Sequence, residues 1–289
     1  MKIWLDGEIL DEGEARLPVT DHGLLYGDGV FEGIRVFAGR VFRLDDHLAR
    51  LSHGAKALAL ELPGGVARAR AAVLAAVAAH GQPDAYVRLL VTRGVGPLGV
   101  DPSHCVAPRL VCIADDLRIF PPEKLQAGID LVTSSWRRPP SDVLDPRVKS
   151  LNYLNNVLAK LEARRAGADE ALLLNAAGRV AEAAVANVFA WRDDVLATPP
   201  GADGALEGIT RRTVLELAGQ LGIAAHERPL TRFDLYAADE VFLTGSGAGI
   251  VPVRSLDRRA IGAGRPGPVW SKLRNAYLDA TPALGVAFR

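Results

Sequence analysis

The 289-residue chain has no excess of charge of either sign: 34 basic side chains stand against 34 acidic ones. It therefore has no net field to draw nucleic acid or a membrane surface, and its partners are expected among small molecules and copies of itself. Cysteine is almost missing. Cys105 and Cys112, seven apart, match neither a CxxC redox pair nor a zinc knuckle, and the six histidines fall into no HExxH or HxxxH spacing, so neither disulfide nor metal is expected. Long apolar runs are absent too. "AAVLAAVAA", residues 71–79, is far too short to span a bilayer, and the opening "MKIWLDGEIL" places Asp6 and Glu8 where a secretory signal needs unbroken apolar residues. A soluble, cytoplasmic protein is the expectation. Internal repeats, low-complexity tracts and regular βαβ alternation are likewise missing, and the last of these argues against a doubly wound sheet.

What is present describes a globular chain, with 49% hydrophobic and 24% charged residues and a length about twice that of a typical domain. "WLDGEIL", "GVFEGIRVF" and "RVFRL" read as a strand meander turning at Ala38-Gly39. A helix is expected from Asp45, an N-cap candidate, with Leu48, Leu51, Ala55 and Leu58 on one face, and a second over 66–79. The strands "AYVRLLVTR" and "APRLVCIA" then complete an N-terminal domain over 1–118. Two prolines and dense charge mark 119–126 as a linker, and 127–289 forms a C-terminal domain. In that second half Leu151, Leu154, Val157, Leu158 and Leu161 mark a helix face, Asp193-Asp194 marks a turn, another helix starts at Thr210, and "VWSKLRNAYLDA" makes the last one. Two mixed domains of α+β class are predicted.

The stretch "RVKSLNYLNN", residues 147–156, opens a helix with poor helix formers, Asn152, Asn155 and Asn156, a tyrosine and a lysine where a cap belongs. It is either a loop shading into helix or a presentation of those side chains. Lys149, beside apolar sequence that would desolvate it, is a candidate amine for condensation with an aldehyde, although a lysine near a helix start is more often a solvated surface group. Thr210 after Gly208-Ile209, and the turn "TGSGAGI" at 244–250, each offer N–H groups to an anion such as phosphate. The turn lacks the third glycine of a dinucleotide fingerprint, and Pro252 leaves no room for the helix that must follow. Arg50 is a candidate for bidentate contact with a phosphate. Glu182, the one charge in an apolar segment, is either solvent-facing or bonded to a specific cation. Alternation places Phe31, Gly33 and Arg35 on one strand face and Tyr86 and Arg88 on another, apolar walls with cations fit for an amino or keto acid. An internal pair such as Glu32 with Arg40 would make that mixture structural.

Taken together, "DHGLLYGDGVFEGIR", "RVKSLNYLNNVLAK", "GRVAEAAVANVF", "EGITRRTV" and "ADEVFLTGSGAGIVPV" resemble the class IV aminotransferases. The resemblance implies the D-amino acid aminotransferase-like fold (fold type IV), pyridoxal 5′-phosphate as cofactor, a homodimer or higher homo-oligomer, and amino and keto acid substrates. It implies that Lys149 links to the cofactor and shuttles the substrate proton, that Tyr153 bonds the phenolic oxygen, and that Glu182 keeps the ring nitrogen protonated. Arg50, Ile209, Thr210, Gly245 and Ser246 would hold the phosphate, with Leu206 on the ring face; Gly247 and Ala248 join the five strand residues at the substrate. Within the family the strand residues are similar to the branched-chain pattern, with transamination of L-branched-chain amino acids and 2-oxoglutarate. Two alternatives stay open. Glu182-Ala183 and Gly245-Ser246-Gly247-Ala248-Gly249 depart from that pattern, the former toward aminodeoxychorismate lyases, while a D-amino acid transaminase would carry a basic pair where Val95-Gly96-Pro97 stands. A binding protein that retains the vitamer without turnover is a reading from another class.

Overall fold

The computed structural model describes residues 1–116 and 120–288, so Leu117, Arg118 and Ile119, at the expected domain junction, lie outside the described residues, as does Arg289. The chain divides into two compact α+β units. The first comprises Met1–Arg118, Val148–Asn152 and Thr281–Arg289, and the second Ile119–Arg147 and Tyr153–Ala280. Neither unit is one contiguous stretch, which departs from a simple cut into 1–118 and 127–289. Lys149 accordingly belongs with the first unit and not with a C-terminal domain.

In the first unit β1 (Lys2–Leu5) and β2 (Glu8–Asp11) form a hairpin, followed by a short helix α1 (His22–Tyr26), β3 (Gly29–Phe37) and β4 (Arg40–Phe42). Helices α2 (Leu44–Ala57) and α3 (Gly65–His80) come next, then β5 (Ala85–Thr92), β6 (Arg109–Asp115) and, from the chain's end, β16 (Gly285–Ala287). The described strands make one antiparallel sheet in the order β16-β4-β3-β5-β6-β1-β2. Ala38 and Gly39 turn β3 into β4 with φ of 45° and 78°, the paired positive angles of a tight hairpin turn. Helix α2 starts one residue earlier than Asp45, with Arg43 at the N-cap position and no side-chain cap bond. Asp45 and Asp46 instead occupy its first turn, where carboxylates favour the positive helix end. Leu44, Leu48, Leu51 and Ala55 of α2 close over Val30, Ile34 and Val36 of β3, while Ala69, Ala72, Val73, Ala76 and Val77 of α3 cover β1, β5 and β6 in the same core.

Two later segments return to this unit by backbone pairing. Phe31 N–H donates to the Lys149 carbonyl and Leu151 N–H to that of Gly29, both at 2.9 Å, and Val30 faces Ser150 in an antiparallel bridge. β16 pairs with β4 through Gly285 and Phe42. Such pairing joins residues more than a hundred positions apart, and no local pattern announces it.

The second unit begins with α4 (Pro122–Ala127), inside the expected linker. Pro122 stands at the first helical position, where its missing N–H costs nothing, and α4 packs on the sheet of this unit. The unit continues through β7 (Ile129–Arg137), α5 (Ser141–Leu144), α6 (Leu154–Arg165), β8 (Glu170–Leu174), β9 (Val180–Ala183), β10 (Asn187–Arg192) and β11 (Val195–Thr198). It closes with α7 (Ile209–Gln220), β12 (Ala224–Glu227), α8 (Arg232–Tyr236), β13 (Glu240–Gly245), β14 (Gly249–Leu256), β15 (Arg259–Ala260) and α9 (Pro268–Ala280). Its described strands run β12-β11-β10-β13-β14-β7-β8-β9 with β15 beside β14, parallel only at β12/β11, β14/β7 and β7/β8. Asp193 and Asp194, at φ of 50° and 58°, turn β10 into β11. The glycine-rich segment is a hairpin: Gly245 pairs with Gly249, and β14 runs on through Pro252.

Helix α6 is turned the other way from the face that its leucines mark. Asn156, Ala159 and Ala163 are buried, while Leu154, Val157 and Leu161 are 68%, 50% and 46% exposed. The small alanines let the helix approach β7 and β8 closely, and Asn156 makes two buried hydrogen bonds that an outward rotation would break. Among the described residues no helix is long and apolar enough to cross a membrane.

Candidate active site

The expected residues fall into two sets, one in each unit. In the first unit β3 and β5 pair Phe31 with Leu90, Gly33 with Arg88 and Arg35 with Tyr86, so the five expected strand residues share one face. The Arg88 guanidinium lies 4.5 Å from the Phe31 ring centroid, and its Nη2 reaches toward the Tyr86 hydroxyl at 3.4 Å. Arg35 stacks on Phe37 at 4.4 Å. A side chain at Gly33 would collide with the Tyr86 hydroxyl, which explains the glycine there. Lys149 is half-buried, with Nζ 4.3 Å from the Phe31 centroid, so an aromatic face and a strand backbone fix the amine at both ends.

Arg50 lies on α2, and its Nε and Nη2 donate to the two oxygens of Glu32, each at 2.7 Å. Glu32 is fully buried and also accepts from His47 Nδ1 at 2.8 Å. Burial by itself would raise the Glu32 pKa, but the Arg50 and His47 groups overcome it and hold the carboxyl well below the usual range. The expected pair of Glu32 with Arg40 does not form: β4 pairs with β3 only at its far end, where Phe37 lies opposite Arg40, and Arg40 Nη2 donates to the Gly285 carbonyl at 2.7 Å while Glu32 meets α2.

In the second unit Glu182, 5% exposed, lies on β9 and does have a cation, Arg138, whose Nη2 stands 2.8 Å from Oε1. Oε2 accepts from the Leu206 N–H and from Asn187 Nδ2, both at 3.0 Å, and the same Asn187 amide donates to the Leu206 carbonyl at 2.8 Å. Leu206 is thus held against Glu182 by its backbone. Two residues on, Gly208 is the N-cap of α7. A Cβ there would strike Asn187, so the cap has no side chain and the helix start has no side-chain cap bond. Thr210, where the helix was expected to start, lies instead within the first turn, after Ile209. Its hydroxyl is buried and has no partner. Opposite Asn187 on β13 is Thr244, whose buried hydroxyl is also unpartnered. Gly245, next to it, packs on the Val185-Ala186 turn that follows Glu182, and Ser246, Gly247 and Ala248 form the hairpin loop. Of these turn glycines Gly249 takes a positive φ, 71°, and Gly245 and Gly247 do not.

Tyr153 is the N-cap residue of α6. The asparagines around it act as ties. Asn155 donates to the Arg137 carbonyl at 3.0 Å; Asn156 donates to that of Ala184 at 2.6 Å and accepts from Arg138 at 3.1 Å. In the first unit Asn152 donates to the Gly27 carbonyl at 2.8 Å.

The chain that carries this amine in its first unit, and the buried carboxylate and open helix start in its second, matches the amino-transferase class IV family model over residues 29–256. The chain belongs to the class IV aminotransferases. This class IV chain is 48% identical over 286 residues to a Methanocaldococcus jannaschii protein named for branched-chain-amino-acid aminotransferase activity, with 99% of this chain and 98% of that one covered. It is 38% identical to the Pseudomonas aeruginosa branched-chain-amino-acid aminotransferase, covering 96% and 92%. Among solved structures, the T.th. branched-chain amino acid aminotransferase with pyridoxamine 5′-phosphate superposes with a TM-score of 0.95 at 38% identity, covering 100% of this chain and 98% of that one. For the Escherichia coli enzyme the TM-score is 0.94 at 36% identity, with 97% and 94% covered.

Reasoning from sequence named Glu32 but gave it Arg40 as partner, and it missed His47, Arg138, Asn187 and Thr244. A carboxylate in the inward row of β3 was the available signal for His47. For Arg138 and Asn187 there was none beyond the need of Glu182 for partners.

Proposed function

We propose that this aminotransferase uses pyridoxal 5′-phosphate to transaminate L-branched-chain amino acids with 2-oxoglutarate as amino acceptor, as a cytoplasmic homo-oligomer. The cofactor supplies an aldehyde that condenses with amines and a ring that withdraws electrons from the substrate carbon. Lys149 would hold the aldehyde and move the proton at Nζ. Tyr153 would donate to the phenolic oxygen, and Glu182 would hold the proton on the ring nitrogen, its own position set by Arg138, Asn187 and the Leu206 N–H. Leu206 would lie on the ring face.

The observation that carries the cofactor reading is the start of α7: a 12-residue helix with no side-chain cap bond and a buried, unpartnered Thr210 hydroxyl in its first turn. Unmatched N–H groups at the positive end of a helix, with a hydroxyl beside them, fit a phosphate. Ile209, Thr210, Gly245 and Ser246 would hold that phosphate together with Arg50. Phe31, Gly33, Arg35, Tyr86, Arg88, Gly247 and Ala248 would receive the substrate: the arginines suit its carboxylate, and Phe31 and Tyr86 an apolar side chain. Similarity over the whole chain to proteins named for branched-chain substrates supports that choice. The exposed row Leu154, Val157 and Leu161 supports self-association, since it is an apolar stripe on a charged helix.

An assay of the purified protein with L-leucine and 2-oxoglutarate tests the reading, and glutamate is the expected product. Glutamate from D-alanine alone, or pyruvate from aminodeoxychorismate with no acceptor, would replace it with one of the two related activities. Lys149→Ala should lose turnover and the visible absorption band of the lysine-linked cofactor.

A further inference from the structure

The row of β3 that faces α2 reads Val30, Glu32, Ile34, Val36, and three of the four serve the hydrophobic core. Glu32 has no solvent exposure, and it meets two side chains three residues apart on α2, His47 and Arg50. Apolar residues of similar volume often serve a fold as well as a buried ion pair of this kind, so stability by itself is a weak account of it. What it does provide is geometry. Two parallel N–H···O bonds of 2.7 Å fix the plane of the Arg50 guanidinium and, with it, the direction of the Nη1 edge opposite.

His47 completes the arrangement without adding charge. A carboxylate only accepts, so the ring hydrogen lies on Nδ1, 2.8 Å from Oε2. Nε2 is buried and has no partner, and burial pushes the ring pKa down, with Arg50 and Lys149 adding to the shift against the pull of Glu32. The ring is therefore neutral. The cluster holds one anion and one cation, and His47 fixes the carboxylate so that the carboxylate can fix the guanidinium.

From this geometry we infer that Glu32 is a positioning residue for phosphate recognition: with His47 behind it, it orients Arg50 toward the phosphate group of the cofactor. The inference rests on the cofactor reading above and assigns the carboxylate a role that Arg50 alone does not explain.

The test is a pair of titrations of apoprotein, one with pyridoxal 5′-phosphate and one with pyridoxal, which lacks the phosphate, followed by absorbance and with folding checked by circular dichroism. The wild type should prefer the phosphorylated form. Glu32→Gln should reduce that preference by about tenfold, the size typical of losing an outer partner of a binding group, while the affinity for pyridoxal stays the same. Glu32→Asp, which keeps the charge on a shorter arm, should fall between. An unchanged preference in Glu32→Gln, or an equal loss toward both ligands, would overturn the inference. Should Glu32→Gln not fold, the aspartate variant decides alone, and wild-type preference in it overturns the role. No preference in the wild type would instead sink the cofactor reading itself.

Discussion

Glu182 shows how much one buried carboxylate can organise. It joins a guanidinium, a side-chain amide and a backbone N–H from three different parts of the second unit, so its removal leaves Arg138 charged and buried with its carboxylate partner gone. Glu182→Gln should cost about 3–5 kcal/mol of stability for that reason, beyond any effect on turnover, and urea denaturation with Arg138→Met as the companion variant measures it. Thr210 makes the opposite prediction. Its hydroxyl has no partner among the described residues, so Thr210→Val should leave stability within about 0.5 kcal/mol. The same variant should weaken pyridoxal 5′-phosphate binding by about tenfold, the usual loss of a hydrogen bond to a charged group. A stability loss without an affinity loss would mean that the hydroxyl serves the fold instead.

Among the elements, α6 carries the clearest consequence. Its leucine and valine stripe faces outward and its alanines inward, because a close-packed helix needs small residues and Asn156 is tied on that side. Burying such side chains at an interface is worth about 1.5–3 kcal/mol each. Replacing Val157 and Leu161 by Glu should therefore raise the dissociation constant of the oligomer by at least about a hundredfold, as sedimentation velocity would show. A double variant that sediments like the wild type would place the interface elsewhere. The asparagine-rich opening of the same helix has a structural account as well. Asn152, Asn155 and Asn156 each donate to a different carbonyl, so poor helix propensity is exchanged for ties that hold Asn152 within the first unit and the start of α6 within the second.

For the whole molecule the buried ionisable groups set the response to acid. Glu32 has a depressed pKa, so its stabilising effect is complete above the unfolded value of 4.5 and is lost as pH falls toward the folded one. His47, also depressed, takes up its proton more readily in the unfolded chain, so it destabilises the fold as pH falls below 6.5. In the second unit, the Arg254 hydrogen bond holds the Asp130 carboxyl low against partial burial, and Asp257 is held low by bonds from Thr133 and Tyr236 that outweigh its burial. Both add to the loss in acid. The melting temperature should begin to fall below about pH 6.5 and fall more steeply below about pH 4.5. In Glu32→Gln the steeper part should be reduced, and an identical profile in that variant would contradict the ionised state of the buried carboxylate.

Local rules were enough for much of this protein. The hairpin turns at Ala38-Gly39 and Asp193-Asp194, the separate strand faces of Phe31, Gly33 and Arg35 and of Tyr86 and Arg88, and the α+β class follow from periodicity and turn chemistry, which act over a few residues, whereas the pairing of β3 with β5 makes those two faces one. The likeness of five motifs to one family added candidate roles for Lys149 and Glu182. Tertiary structure alone decided which charges meet. Arg50 pairs with Glu32 where Arg40 was expected, Glu182 acquires Arg138, α6 turns its leucines outward, and Lys149 joins the first unit through pairing with β3. Each of these depends on distant segments sharing one desolvated space, where a charge must find a partner and a helix must present its smallest face.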